Sequence, residues 1–449
     1  MKRTALINVV GLTASLLERM PKLRGFAANG RVTSIIPAFP AVTCTAQASY
    51  LTGLEPTQHG IVGNGWYNRE LAEVQFWKQS NRLVQGRKLW EELREAKSGF
   101  TCAKLFWWYN MYSTADYSIT PRPMYPADGR KFFDIYTAPS NIRTEIKKDL
   151  GEFPFRNFWG PAAGIASSQW IAASAKWIED RHRPDLNLIY LPHLDYNLQK
   201  LGPNHPVIAT DLEQLDLLLD DLVTFLKGRE IRIATVSEYG ITEVDRPIHL
   251  NRIFREQGWI AIKDELGLEM IDCGASKVFA VADHQVAHVY IRDPALASRV
   301  KALVEAQPGV AAVVGQFHPR SGDLVAIADQ HSWFTYYYWL DDAVAPDFAR
   351  TVDIHRKIGY DPVELFIDPA IKFPAARIAS FLLKKKLGLR GLLSVIPLDA
   401  KLVRGSHGRL PDQVEDRPIL ITESKSDDFA AEVPAKDVYG IVKQLCLAN

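Results

Sequence analysis

Pro40 to Asn64 reads PAVTCTAQASYLTGLEPTQHGIVGN, and it sets the frame for the rest of the chain. Thr45 to Thr52 has the composition of a short helix, and Gly53 stands where a left-handed residue would stop it. Thr43, Cys44 and Thr45 crowd its start. The first turn of a helix offers unpaired N–H groups and the positive end of the macrodipole, so a hydroxyl or thiol placed there faces a ready anion site. From the residues alone Thr43 has two open roles, helix cap or nucleophile, and Cys44 competes for the second because a thiol at a helix N-terminus is activated. His59-Gly60 and Gly63-Asn64-Gly65 carry the residues of tight turns.

Working outward, strand and helix alternate. Thr4 to Val10 reads as a buried strand, Leu16 to Arg24 as a helix around Pro21, Lys88 to Lys97 as amphipathic, Thr101 to Trp107 as a strand, Ser168 to Asp180 as a helix and Leu186 to Pro192 as a buried strand. Ile208 to Lys227 places Leu212, Leu215, Leu219, Leu222 and Leu226 at helical spacing, and Ile231 to Val236 follows as a strand. Such alternation implies a doubly wound, mostly parallel sheet with functional loops at the carboxyl ends of its strands. Short strands at Val278 to Val281, Ala287 to Ile291, Val310 to Val314 and Leu324 to Ala328 break the pattern. The expected organisation is a core α/β domain over 1–250, an inserted α+β lobe over 251–330, and completion of the core over 331–449. A polar turn is expected at Lys425, Asp427 and Asp428.

Composition narrows the class. The 449 residues carry 53 Lys and Arg against 52 Asp and Glu, a net charge of +1, so no global field points to a nucleic-acid polymer or a membrane surface. Met1 to Leu12 reads as a strand rather than a leader, and no stretch reaches the roughly 18 apolar residues of a membrane span. Cys44, Cys102, Cys273 and Cys446 lie far apart and form no CxxC pair, which fits a reducing compartment. A cytoplasmic chain is expected.

The opening stretch resembles the signature of the type I phosphodiesterase/nucleotide pyrophosphatase branch of the alkaline phosphatase superfamily. The matching elements are Pro40, Thr43, Thr52-Gly53, Pro56, His59-Gly60-Ile61 and Asn64. The resemblance implies an alkaline-phosphatase-like fold and attack on a phosphate ester by Thr43 through a covalent phosphothreonine. It also implies two metal ions, and at those positions the chain departs from the pattern. Val10-Gly11-Leu12 stands where an Asp-Gly-Leu would supply a ligand, Asp195 is kept but Gln199 replaces a His, and Ser237-Glu238-Tyr239-Gly240 replaces Ser-Asp-His-Gly. His407 is kept.

The candidate metal ligands are therefore Asp195, Gln199 and His407, with His193 added because residues i and i+2 of a strand share a face. Asn8 lies in the same relation to Val10. The donor count predicts one divalent ion or none, zinc- or manganese-like, and no conventional dinuclear zinc centre. Glu238 and Tyr239 join Thr43 as catalytic candidates. Asn64, Arg122 and Tyr125 are the substrate-binding candidates, the last two from the aromatic and turn-rich run that follows a sheet strand. Asp283, His284 and His288 are expected to be pocket or lobe-contact residues. The expected ligand is a small-molecule phosphate ester; a phosphoryl-type transferase and a non-catalytic ester-binding protein are the alternatives.

Overall fold

The computed structural model describes residues 2–423 and 429–448, so the turn expected at Lys425, Asp427 and Asp428 lies outside the described residues. Thr4–Val9 reads TALINV, and all six residues are buried. A strand apolar and covered on both faces belongs at the centre of a sheet flanked by helices. It sits inside a nine-stranded sheet with the order Glu432–Pro434, Arg31–Ile36, Ile419–Thr422, Arg232–Val236, Thr4–Val9, Leu186–Leu191, Cys102–Leu105, Tyr117–Pro121, Ile135–Ala138. Pairing is parallel except where Ile419–Thr422 and Ile135–Ala138 run against their neighbours. The helix Val438–Leu447 packs with Thr43–Thr52 and Leu89–Ala96, whereas Ile165–His182 packs with Val207–Lys227.

The parallel strands send their carboxyl ends to one edge. Thr43 follows Arg31–Ile36, Asp195 follows Leu186–Leu191, and Glu238 follows Arg232–Val236. Ile419 starts its antiparallel strand at the same edge, where its carbonyl accepts from the Ser237 N–H at 3.0 Å.

A second core lies beside the first. Val278–Asp283, Val286–Ile291, Leu324–Ala328 and Val310–Gly315 form a four-stranded antiparallel sheet. Trp333, Tyr336, Tyr337, Tyr338 and Trp339 are buried against it, and apolar residues as far as Val403 belong to the same cluster. The return to the central sheet comes at Ile419–Thr422. The hairpin tip Asp283–Val286 reaches back to the first core, where the Gln285 N–H donates to the His407 carbonyl at 2.8 Å.

Candidate active site

The helix Thr43–Thr52 begins two residues earlier than the sequence suggests, with Val42 as its extended N-cap. Thr43 is thus the first helical residue, and its hydroxyl is free for chemistry rather than used as a cap. Thr43 Oγ1 lies 3.2 Å from the Tyr239 hydroxyl, and that hydroxyl donates to Asp195 Oδ1 at 3.0 Å. Because the Tyr239 proton points at Asp195, the proton between Thr43 and Tyr239 belongs to Thr43. Gln199 Nε2 donates to Asp195 Oδ2 at 2.7 Å, and Tyr360 donates to Gln199 Oε1 at 2.9 Å. Burial pushes the Asp195 carboxyl up to about 6, against the pull of the Tyr239 and Gln199 hydrogen bonds.

Gly240 fixes where Tyr239 can stand. A Cβ on Gly240 would lie 1.9 Å from the Asp416 carbonyl oxygen, so only glycine lets the two backbones approach. The Tyr239 ring stacks on His407, with centroids 3.5 Å apart and planes 6° from parallel. His407 Nδ1 is held by the Ala41 carbonyl at 2.8 Å, while its Nε2 is buried without a partner. Burial lowers His407 to about 3, which leaves the ring neutral.

Glu238 occupies the other side of Thr43. Asn8 Nδ2 and Gln47 Nε2 both donate to its Oε1 at 2.6 Å, and its Oε2 is buried with no partner. Desolvation raises it to about 8 despite the hydrogen bonds from Gln47 and Asn8. Two amide donors on one oxygen and none on the other is the pattern of a neutral carboxylic acid. Near pH 7 Glu238 is therefore held as a neutral acid and hydrogen-bond donor.

Asn64 comes to the same helix end: its Oδ1 accepts from the Cys44 N–H at 3.1 Å, and Asp283 holds its backbone N–H at 2.7 Å and its Nδ2 at 3.0 Å. Burial pushes the Cys44 thiol well up, which removes it as a rival nucleophile. His59 is fixed between Ser49 Oγ and the Ile61 N–H, a turn-holding role.

Thr43, Tyr239, Asp195, Gln199, Glu238, His407 and Asn64 thus form one buried cluster. His193, Arg122 and Tyr125 do not join it. His193 begins the helix His193–Leu201, and on a helix i and i+2 point to nearly opposite sides. Its Nε2 faces Asp211 at 3.6 Å instead. Arg122 and Tyr125 sit on an exposed hairpin, closed by pairing of Met124 with Phe132. The sequence reading gave no role to Gln47, Trp77 or Tyr360, whereas Trp108 lies in the aromatic run after a sheet strand that it marked as a substrate loop. Gln47 is one helical turn from Thr43, a spacing that could have exposed it. Trp108 donates its backbone N–H to Gln47 Oε1 at 2.7 Å, and its ring packs at 4.6 Å, tilted by 37°, on Trp77, which meets Tyr360 at 6.0 Å. Tyr360 also stacks on His284 at 3.7 Å, and His284 on His407 at 3.7 Å. Lys104, fully buried, donates to the Trp108 and Tyr109 carbonyls at 2.7 and 2.8 Å and so anchors this loop.

The donor set does not fit a pair of zinc ions. Val10 is buried and apolar where the first ligand would stand. Both Asp195 oxygens already accept hydrogen bonds, both ends of the Gln199 amide are used, and a neutral Tyr239 is a poor ligand. Among the described residues no three His, Cys, Asp or Glu side chains gather as a metal site.

Several comparisons bear on this geometry. An uncharacterized pyrophosphatase/phosphodiesterase of Schizosaccharomyces pombe is 26% identical over 263 residues, covering 55% of this chain and 47% of the relative. An ectonucleotide pyrophosphatase/phosphodiesterase of Caenorhabditis elegans is 22% identical over 260 residues, 56% of this chain and 27% of the relative. The alignments thus span about half of one relative and about a quarter of the other. Murine ectonucleotide pyrophosphatase/phosphodiesterase 5 superposes with a TM-score of 0.58 at 14% identity, covering 100% of this chain and 96% of that one. Phosphonoacetate hydrolase of Sinorhizobium meliloti gives 0.62 at 15% identity with the same coverage. Both likenesses speak to the fold. Since the family model for type I phosphodiesterase/nucleotide pyrophosphatase matches residues 4–361, the chain belongs to that family.

Proposed function

We propose that the chain cleaves a small phosphate ester through a covalent intermediate on Thr43, with Tyr239 and Asp195 moving the proton that metal-bound chemistry would otherwise handle. The observation that carries this reading is the hydrogen-bond sequence Thr43 to Tyr239 to Asp195. Thr43 Oγ attacks phosphorus as the ester P–O bond breaks. Its proton passes to the Tyr239 oxygen while the Tyr239 proton passes to Asp195. The leaving oxygen departs with the bonding pair and is protonated by solvent. Water then hydrolyses the phosphothreonine, or an alcohol takes the phosphoryl group in the transferase variant of the same chemistry.

Glu238 suits an anionic substrate because, protonated, it donates a hydrogen bond where a carboxylate would repel. The first-turn amides of Thr43–Thr52 supply further donors. Trp108 and Trp77, half-buried and packed together at 4.6 Å, offer apolar ring surface for a base or another ring on the ester. An AMP complex of murine ectonucleotide pyrophosphatase/phosphodiesterase 5 and a phosphonoacetate complex of the Sinorhizobium enzyme direct the substrate panel.

The test is turnover of bis(p-nitrophenyl) phosphate, p-nitrophenyl phosphate, a dinucleoside pyrophosphate and phosphonoacetate, in chelator and again with added zinc or manganese. Turnover in chelator supports the relay; turnover only with added metal overturns it. The non-catalytic alternative draws on the occupied Asp195 oxygens, and saturable binding of AMP with no turnover under any condition would favour it.

A further inference from the structure

Ile371 to Leu393 reads IKFPAARIASFLLKKKLGLRGLL, with basic residues Lys372, Arg377, Lys384, Lys385, Lys386 and Arg390 and no acidic one. Its helix, Pro374–Lys386, buries none of its residues. Half-buried Ile371, Ile378 and Leu393 tether it to the second core. The large apolar side chains left outside are Phe373 at 75% exposure, Leu387 at 67%, Leu383 at 59%, Leu389 at 57%, Leu392 at 53% and Leu382 at 38%.

The surface extends onto the hairpin that follows Tyr117–Pro121. Arg390 donates to the Asp128 carbonyl at 2.9 Å and Lys385 to the Lys131 carbonyl at 3.4 Å. That hairpin adds exposed Met124, Tyr125, Phe132 and Phe133. It contributes Arg122, Arg130 and Lys131 against Asp128, which is paired with Arg130 at 2.6 Å. Because Tyr117–Pro121 runs parallel to Cys102–Leu105, and that strand to Leu186–Leu191, the hairpin leaves the sheet at the edge that carries Thr43.

A contiguous apolar surface of this kind marks an interaction site, and its charge selects the partner. Leucine and phenylalanine interleaved with lysine and arginine match the boundary between anionic headgroups and acyl chains. A second copy of the chain would set these cations against themselves, which disfavours self-association. We propose that Ile371–Leu393 and the adjoining hairpin dock the protein on an anionic lipid bilayer, with Phe373 and the leucines entering the acyl boundary. The near-zero net charge pointed away from membranes; the clustering of six cations on one segment is what changes the reading.

The experiment is co-sedimentation of the full chain with phosphatidylcholine vesicles, with and without phosphatidylglycerol. The expected result is binding only to the phosphatidylglycerol vesicles, weakened by salt as screening shortens the range of the surface potential. Replacing Lys384, Lys385 and Lys386 together by Gln should lower partitioning on the order of 100-fold, from the attraction each lysine gains near a charged surface. Phe373→Ser with Leu383→Ser and Leu387→Ser should also abolish binding. These side chains are exposed, so the thermal melt should not move, and Leu266→Ser, exposed in the distant hairpin Ala261–Asp272, should bind as the parent does. No sedimentation with either vesicle, binding insensitive to both variants, or a concentration-dependent dimer that Leu383→Ser dissolves without any vesicle binding would overturn the proposal.

Discussion

Thr43 and Tyr239 can be separated by substitution, because one bears the proposed phosphoryl group and the other only moves a proton. Thr43→Ala should remove turnover and cost about 1 kcal/mol, the worth of its hydrogen bond to Tyr239. Thr43→Ser should keep part of the rate, Cys44→Ala should leave it largely intact, and acid trapping followed by peptide mass analysis should place phosphate on Thr43. Tyr239→Phe breaks the relay but keeps the stacked ring, so kcat should fall roughly 100-fold or more, as loss of proton transfer does, with a smaller change in KM. The pH profile separates the two carboxyl groups. Below about 6, Asp195 takes up a proton and cannot accept another, so kcat should fall; above about 8, Glu238 ionises and repels an anionic ester, so KM should rise. A profile flat from pH 5 to 9 would contradict both assignments.

At the scale of elements, the second core supports the site through one buried ion cluster. Lys357 Nζ lies 2.7 Å from Asp361 and 2.6 Å from Glu364, all three buried. Glu364 also accepts from Trp159 Nε1 at 2.6 Å, and Trp159 packs on Tyr360, which donates to Gln199. Lys357→Met leaves two carboxylates without their cation and should destabilise the protein by about 3–5 kcal/mol in urea unfolding. Periodicity located the strands Thr4–Val9, Cys102–Leu105, Leu186–Leu191 and Arg232–Val236 of the central sheet to within two residues, and Ile208 to Lys227 against Val207–Lys227, but not Arg31–Ile36, Tyr117–Pro121 or Ile135–Ala138. It did not locate Pro374–Lys386, whose leucines face outward and so carry no core-facing stripe. Nor could it show that His193 starts a helix, because Pro192 and the buried strand before it read as one extended run.

For the whole molecule, the buried titratable groups predict how stability changes with pH. Asp195, Asp283 and Glu238 are raised to about 6, 7 and 8, so each stabilises most at low pH and loses that contribution as pH rises through its folded value. His59 and His407 are lowered to about 3, and His193, His249 and His288 to about 4. Their contribution is complete above the usual histidine value and is lost as pH falls below it. Below about pH 6.5 the histidines outweigh the carboxyl groups, so stability should rise from pH 5 towards pH 6.5; above that, the loss from Asp283 and Glu238 is opposed by Lys104, which burial lowers to about 7 and whose contribution is gained as pH rises through that value. Thermal melts from pH 5 to 6.5 should show the rise, and Glu238→Gln should steepen it; stability flat or falling over that range would refute the reading. The sequence by itself identified the family, because Pro40 to Asn64 is a local motif whose spacing needs only one helix and its flanking turns. It also exposed the departures at Val10, Gln199 and Tyr239, since those are matters of residue identity. Only the tertiary structure decided what the replacements do. Whether Tyr239 meets Thr43, whether Glu238 is an acid or a base, and which rings surround them depend on contacts between segments some 200 residues apart and on how completely water is excluded there.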